Sequence, residues 1–190
     1  MFRSRKLVDS YMGQFTIAAT FWLFLTWCPA YVVEYRHMDF IKSGDVASGP
    51  YFAAFCGVLL AGFASDRMIR RGVSASVARK LPVILGLFLT LFILGANYTD
   101  DSTLIILFMS LAFFGNGLAT ITWVFVTALA PLHLIGLAGG VFNFTGAPSS
   151  IVVPIAIGAL IDGGHFSPPL GFLAVLAAIC FLRYLFVVGH

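Results

Sequence analysis

Long apolar runs separated by short gaps constrain this 190-residue chain more than any other feature. A helix needs about 20 predominantly apolar residues to cross the hydrocarbon core of a membrane. Six runs approach or exceed that length: residues 13–33, 45–65, 81–98, 103–126, 134–160 and 169–188. They show neither the alternation nor the short length, about ten residues, of β-barrel strands. The sequence therefore predicts an all-α membrane protein, with six transmembrane helices in a single bundle.

The scarcity of charge supports this interpretation. Charged residues make up 10% of the chain and hydrophobic residues 60%, whereas soluble domains carry roughly 25% charged residues. A chain so poor in charge cannot cover a water-exposed surface with polar groups. The net charge of +3 is too small and too localised to indicate nucleic-acid binding.

Basic residues mark one side of the predicted bundle. Three lie in the leader and five in the loop after the second run, whereas the loops of the other side carry only Arg36 and Lys42. Loops rich in Lys and Arg stay in the cytoplasm. We therefore expect a multi-pass protein of the cell (inner) membrane, with both termini and the basic loop 66–80 in the cytoplasm. The first run is too long for a cleaved signal peptide, and polar residues open it.

The basic loop has an ordered charge pattern. Asp66 comes where the second run ends, and Arg67, Arg70 and Arg71 follow it. If the helix continues, Asp66 and Arg70 lie one turn apart and face each other. The carboxylate could also meet the positive N-terminal end of another helix. An all-basic loop would fix the orientation equally well, so the order predicts a specific partner for Asp66; the alternative is a solvated turn.

Polar residues inside the runs are candidate site residues, because buried polarity is costly in a membrane and often functional. The fourth run places four of them on one helical stripe: Asn116, Thr120, Trp123 and Thr127. Gln14 opens the first run, one turn after Tyr11, and Asn143 lies in the fifth. Each could simply hydrogen-bond a neighbouring helix. Three runs with such a face favour a shared polar cavity.

Other chemistry finds little support in the sequence. The three cysteines have no paired spacing and the four histidines are scattered, so we expect no metal-ligand cluster and no cofactor. No nucleophile stands beside a base, and no carboxylate pair lies within a run. The chain is therefore not expected to be an enzyme.

The basic loop also carries a family resemblance. Residues 62–72 read GFASDRMIRRG and resemble the G-x-x-x-D-R-x-x-R-R-G loop signature of the major facilitator superfamily. Four segments are similar to its anion:cation symporter branch, which includes galactonate, glucarate, hexuronate and phthalate permeases: SDRMIRRGVSASVARKLPVILG, FWLFLTWCPAYVVE, AFFGNGLATITW and GLAGGVFNFTG. The matches fall in the right order and cover nearly the whole chain.

The resemblance implies a fold and a function. Members of this family have twelve spans in two six-span halves, and this chain resembles the second, C-terminal half. The family moves a small organic anion, such as a sugar acid, across the bilayer together with protons, by alternating access. The N-terminal half would be missing, so the chain would be a natural truncation, one piece of a split protein or a fragment. The alternative is a non-transporting membrane fragment or a six-span scaffold.

The resemblance also assigns roles to single residues. Substrate contacts of the family match five positions: Gln14, Thr120, Thr122, Trp123 and Asn143. Amides and hydroxyls would bind the hydroxyl groups of a sugar acid, and the indole would supply a flat wall with one donor. Thr122 fits less well, because it lies about 100° from Trp123 on a straight helix. Unwinding near Gly115 and Gly117 would remove that conflict.

Two further expectations concern gating and helix contacts. The gating loop, formed by Asp66, Arg67, Arg70 and Arg71, would close the cytoplasmic side by meeting the start of the fifth span near Leu134 and Ile135. Gly136 and Gly140 form a small-x-x-x-small pair that allows close helix contact. Pro148 and Pro154 should interrupt the fifth span.

No Asp, Glu, Lys or His lies deep in any of the six runs. Proton-coupled uptake of an anion needs a titratable group and a positive partner inside the membrane. In the family these groups sit in the first half. The resemblance therefore implies that this chain alone shows no proton-driven uptake and at most very weak sugar-acid binding.

Overall fold

The computed structural model describes residues 5–30, 40–99, 101–160 and 167–186. Regular structure in these ranges is helical throughout, which confirms the predicted all-α class. The helices are α1 (Arg5–Ala30), α2 (Phe40–Arg70), α3 (Ala75–Thr90), α4 (Ser102–Ala119), α5 (Thr122–Leu129), α6 (Ile135–Gly146), α7 (Ser149–Leu160) and α8 (Ser167–Phe186). Two 3-10 helices, Leu91–Asn97 and Leu132–Leu134, extend α3 and precede α6.

Within the described residues, five segments are long and apolar enough to cross a membrane, so the chain is a multi-pass membrane protein. They are Ser48–Arg70, Ala75–Asn97, Thr103–Ala128, Leu132–Leu160 and Pro168–Leu185, and they correspond to the second to sixth predicted spans. The first predicted span falls on α1, whose 26 residues extend about 39 Å. Residues 31–33 of that span lie outside the described ranges, so the first span stays a prediction.

Two of the membrane-length segments are interrupted. The helix of the fourth span breaks at Thr120–Ile121, between α4 and α5, and that of the fifth at Ala147–Pro148, between α6 and α7. A proline has no N–H to give to the preceding turn, which accounts for the predicted break at Pro148. The prediction for Pro154 was wrong, because this residue lies inside α7 without ending it.

The helix pairing follows a repeated pattern. In the first three-span unit, α2 and α3 both pack against α4, the first helix of the second unit. If the two units are related, the second and third spans of the second unit should pack in the same way against α1, the first helix of the first unit. The helices of those two spans, α6, α7 and α8, all pack against α1. The pairings therefore fit two related three-span units, as in transporters built from structural repeats.

Aromatic contacts join the two units at the core. Phe24 of α1 stacks on Phe113 of α4 with 4.3 Å between ring centroids. Tyr51 of α2 meets Phe113 edge-on at 5.3 Å, and its hydroxyl donates to the carbonyl of Phe24 over 3.2 Å. Phe24 and Phe113 are fully buried, so this cluster fixes α1, α2 and α4 relative to one another.

Glycines allow α4 to approach its neighbours closely. A Cβ added at Gly117 would collide with the carbonyl of Ala54 in α2. Gly86 of α3 and Gly115 of α4 stand opposite each other, and a Cβ on either would collide with the carbonyl of the other. The helix breaks near these two glycines and not at them: α4 runs through both to Ala119, and the break follows at Thr120–Ile121. Their role here is close packing.

The predicted close contact at Gly136 and Gly140 is not made within the described part of this chain. Both are exposed, and no described atom lies within 4 Å of a Cβ built on either. The helices that pack on α6 meet its other side, where Gly139 and Gly146 are buried. One side of α6 is therefore packed and the other is open.

Candidate functional site

One face of α6 gathers three of the five predicted substrate residues. A Cβ at Gly139 would lie 2.8 Å from Cη2 of Trp123, which comes from α5. A Cβ at Gly146 would lie 3.1 Å from the side chain of Gln14, which comes from α1. Asn143 stands one turn from each glycine on the same face. Because positions 139 and 146 are glycines, Trp123 and Gln14 can approach α6 closely, one on either side of Asn143 along the helix.

An aromatic wall stands beside this face. Trp123 meets Phe142 edge-on with 5.4 Å between ring centroids, and Tyr11 meets Phe142 from the other side at 6.4 Å. Phe142 and Tyr11 are buried, whereas Trp123 is 40% exposed. The Tyr11 hydroxyl is buried without a hydrogen bond to any described residue. The sequence placed Tyr11 on the face of Gln14, but its ring contact with Phe142 required the packing of α1 on α6.

The two amides of the site are free to bind a ligand. Asn143 is exposed and Gln14 is half-buried. Neither side chain forms a hydrogen bond to another of the described residues. An amide offers an acceptor oxygen and two donor hydrogens. The alternative role of these residues, a hydrogen bond between helices, is not realised in this structure.

The two threonines of the site use their hydroxyl hydrogens on their own helix. Thr120 donates to the carbonyl of Gly117 and Thr122 to that of Ala119, each over 2.7 Å. Thr122 is fully buried, whereas Thr120 is half-buried at the break between α4 and α5. Thr120 keeps acceptor capacity one turn from Trp123, while Thr122 faces the interior. Both substrate roles stay predictions, and the geometry favours Thr120.

The gating loop begins as predicted, with a helix that continues past Asp66 to Arg70. The two residues are therefore one turn apart, and with Phe63 and Arg67 they line a shallow cavity of about 110 Å³. No salt bridge joins Asp66 to an arginine within the described part of the chain. The helices that α2 packs against are α4, α3 and α1. The contact of Asp66 with Leu134 and Ile135 stays a prediction.

The glycine that closes the loop signature has a clear structural role. Gly72 adopts a φ of 87°, in the left-handed region that glycine tolerates best. Its N–H donates to the carbonyl of Ile69 over 3.0 Å, and that of Val73 donates to Met68 over 3.1 Å. This pair of bonds is a Schellman motif, which satisfies the last carbonyls of α2. Four residues, 71–74, then lead directly into α3.

The described residues hold no group of three His, Cys, Asp or Glu that could bind a metal ion. What they hold is a set of membrane-length helices, some of them broken, beside a face of amides and an indole. Broken helices next to a polar face are typical of secondary transporters.

Comparison with known proteins agrees with this class. The chain is 48% identical to the D-galactonate transporter of Escherichia coli O6:H1 over 97% of its own length and 43% of the relative's. It is 42% identical to the "Probable galactarate/D-glucarate transporter GarP" of Escherichia coli strain K12, over 98% of the chain and 42% of the relative. With the "Probable galactarate/D-glucarate transporter GudP" of Bacillus subtilis the identity is 39%, over 98% and 41%. No protein-family model matches the chain.

The chain is thus a homologue of bacterial sugar-acid transporters, and the resemblance seen in the sequence is confirmed. These relatives are named as transporters, which supports the prediction that the chain is not an enzyme. The chain spans less than half the length of the curated relatives it matches. That share is consistent with one six-span half of a twelve-span protein.

Proposed function

We propose that the chain acts as the C-terminal half of a secondary transporter for a sugar acid such as galactonate, galactarate or glucarate. The observation that carries the proposal is the convergence of Gln14, Trp123 and Asn143 on one face of α6, in a chain homologous to sugar-acid transporters. These side chains come from three different helices. A substrate seated between them would therefore contact elements of both three-span units.

The chemistry of this face suits a polyhydroxylated anion. The Asn143 and Gln14 amides can each donate to one hydroxyl group and accept from another. The Trp123 indole offers an apolar wall against which the carbon chain of the substrate can pack. Thr120 adds an acceptor at the break that follows α4.

The same face contains no charge that would balance a carboxylate. Among the described residues, ionisable side chains of the spans lie toward helix ends, as Asp66 and Arg183 do. A buried anion needs a cationic partner, and proton symport needs a titratable group that is reached from both sides of the membrane. We assign both to a further six-span unit that pairs with this chain. Rocking of the two units would expose the site alternately.

We also propose an orientation for this half. Five cations in the loop region 66–80 favour a cytoplasmic location of this loop, and with it we propose that both termini are cytoplasmic and that the protein resides in the cell's inner membrane. Cysteine substitutions at exposed Ser74 and at exposed Tyr98, the two ends of the third span, test this assignment. Only the cysteine at position 74 should resist an impermeant thiol reagent added outside intact cells. The opposite pattern would reverse the topology.

Vesicle uptake tests the function. The chain is reconstituted alone, or together with the first six spans of the D-galactonate transporter, and labelled galactonate, galactarate and glucarate are supplied under an inward proton gradient. We expect accumulation only when both halves are present, and its loss when the gradient is collapsed. Accumulation by the chain alone would contradict the missing-half assignment. Correct insertion and pairing without uptake of any sugar acid would favour the six-span scaffold.

The gating role of Asp66 is tested in the same assembled transporter. Asp66→Asn should favour the inward-facing state and slow exchange, because the neutral amide loses its attraction for the arginines and for a helix N-terminus. The matched control, Asp66→Glu, retains the charge. Unchanged exchange in Asp66→Asn, with unchanged labelling of cysteines on the cytoplasmic side, would refute the proposed gate.

A further inference from the structure

An apolar groove runs between α2 and α3, away from the candidate substrate face. It encloses about 650 Å³ and its lining is almost wholly apolar. Its two walls are regular ridges of helical side chains: Leu60, Ala64 and Met68 on α2, and Leu81, Leu85 and Phe88 on α3. Phe114 and Leu118 of α4 and Phe181 of α8 complete the lining of the groove.

Both ridges lead to a cation at the end of the groove that lies nearest the loop. Arg71 directly follows the last residue of α2. Its N–H still donates to the carbonyl of Arg67 over 3.2 Å, so it comes about one turn after Met68, and it is exposed. On α3, Lys80 precedes the lining residue Ile84 by one turn. Asp66 belongs to another stripe of α2, which faces the small cavity of the gating loop.

The start of α3 adds a second attraction for an anion at the same end. Its first turn contains no acidic residue, and the side chain of the N-cap Ser74 makes no capping hydrogen bond. The first N–H groups of a helix lack partners within the helix and carry partial positive charge. A phosphate group placed there would accept from these N–H groups as well as from the cations.

We propose that this groove binds an anionic phospholipid, with one acyl chain between α2 and α3 and the phosphate between Arg71 and Lys80. The apolar ridges match the acyl chain of such a lipid, and the cations at their end match its phosphate. A wholly apolar helix in the groove would leave these cations without an anionic partner. Clusters of basic residues next to membrane helices are known to attract anionic headgroups. This inference does not depend on the proposed transport activity.

Lipid binding by the full chain in detergent tests the proposal. Native mass spectrometry follows a titration with phosphatidylglycerol, with phosphatidylcholine of the same chain length, and with soluble glycerol phosphate. We expect phosphatidylglycerol to bind more tightly than phosphatidylcholine, and glycerol phosphate not to compete at equal concentration. Equal affinity for the two lipids would overturn the proposal, and competition by glycerol phosphate would reduce the site to a phosphate site without an acyl chain.

Two paired variants locate the site. Arg71→Gln with Lys80→Gln should weaken phosphatidylglycerol binding by roughly 25-fold, about five-fold for each cation, and leave phosphatidylcholine unaffected. Arg67→Gln with Arg70→Gln removes the same charge from another stripe of α2 and should have a much smaller effect. Equal losses in the two pairs would indicate diffuse attraction and no built site.

A groove-filling variant tests the acyl chain separately. Ala64→Trp should block the groove and weaken both lipids, while the circular dichroism spectrum stays helical. Unchanged lipid binding in a helical Ala64→Trp protein would contradict the groove. Release of bound phosphatidylglycerol when a first six-span half is added would identify that half as the natural occupant and overturn the lipid assignment.

Discussion

Two sets of glycines in this chain have opposite surroundings. In the block formed by α2, α3 and α4, Gly117, Gly115 and Gly86 face carbonyls of neighbouring helices at distances that exclude any side chain. On the open side of α6, Gly136 and Gly140 face nothing among the described residues. The same residue type thus permits packing in one region and leaves a bare surface in the other. The two sets differ in whether a neighbouring helix packs against them, and the spacing of glycines in the sequence does not reveal this.

We call the tightly packed block of α2, α3 and α4 the frame, and the partly open α6 face, which carries Asn143, the working surface. The α2–α3–α4 block is held together by close backbone approach at its glycines and by the edge-on contact of Tyr51 with Phe113, so its helices cannot slide without loss of contact. The α6 face carries Asn143 at the border between its packed and open sides. A binding site at such a border can contact a ligand and still change its surroundings when another unit moves against it.

The largest effect is expected from a side chain placed inside the frame. Gly117→Val would drive two methyl groups into the backbone of α2 at Ala54, and overpacking of this kind destabilises by about 3 kcal/mol. Thermal unfolding followed by circular dichroism should show a lower Tm. The matched control is Gly62→Val, also in a membrane helix, where no described atom lies within 4 Å. If both variants lose the same stability, helix propensity and not close approach governs these glycines.

A smaller effect is expected at the packed side of the working surface. Gly139→Ala places a methyl group 2.8 Å from the tip of the Trp123 indole, so the ring must turn. In the assembled transporter we expect roughly ten-fold weaker sugar-acid binding, because a misplaced indole loses its packing against the substrate. The control Gly171→Ala changes α8 at a position where no described atom lies within 4 Å of the added methyl group. Binding that survives Gly139→Ala unchanged would remove Trp123 from the site.

The amides should contribute less each. Gln14→Ala or Asn143→Ala removes one neutral hydrogen bond, which costs about 0.5–1.5 kcal/mol, or several-fold in affinity. Equilibrium binding of labelled galactonate to the assembled transporter measures the change, and the yield of inserted protein serves as the folding control. Parental affinity in both variants would mean that these residues do not contact the substrate.

The smallest effect is expected on the open side of α6. Gly140→Ala meets no described atom and replaces glycine within a helix, so it should stabilise the chain alone by about 0.5–1 kcal/mol. The measured quantity is again the Tm. A clear loss of stability in the chain alone would show that this side is packed after all, and the contrast between the two glycine sets would fail.

Hydropathy was sufficient to predict most of the fold. Bilayer thickness fixes the length of an apolar run, and five predicted spans have counterparts among the membrane-length segments. The breaks were harder to predict. Pro148 coincides with one and Pro154 does not, although both lack an N–H. The break at Thr120–Ile121 contains no proline. There the N–H of Trp123 donates to the carbonyl of Thr120, three residues earlier, and a pattern of apolar residues does not reveal such a turn.

The site was predicted residue by residue but not as an arrangement. The sequence assigned Gln14, Trp123 and Asn143 to three different spans, and no spacing within a span shows which helices meet. Their convergence depends on Gly139 and Gly146, seven residues apart around Asn143. Gly136 and Gly140 form the stronger sequence pattern, a small-x-x-x-small pair, but they meet no neighbour among the described residues.

The Schellman turn at Gly72 has a consequence for biogenesis. The connection between α2 and α3, residues 71–74, is only four residues long. Neither helix can therefore enter the bilayer far ahead of the other. We therefore expect the two to insert together, as a helical hairpin. Because transfer of the arginines across the hydrocarbon would be costly, the charge of one tight turn decides the side of the membrane for two helices at once.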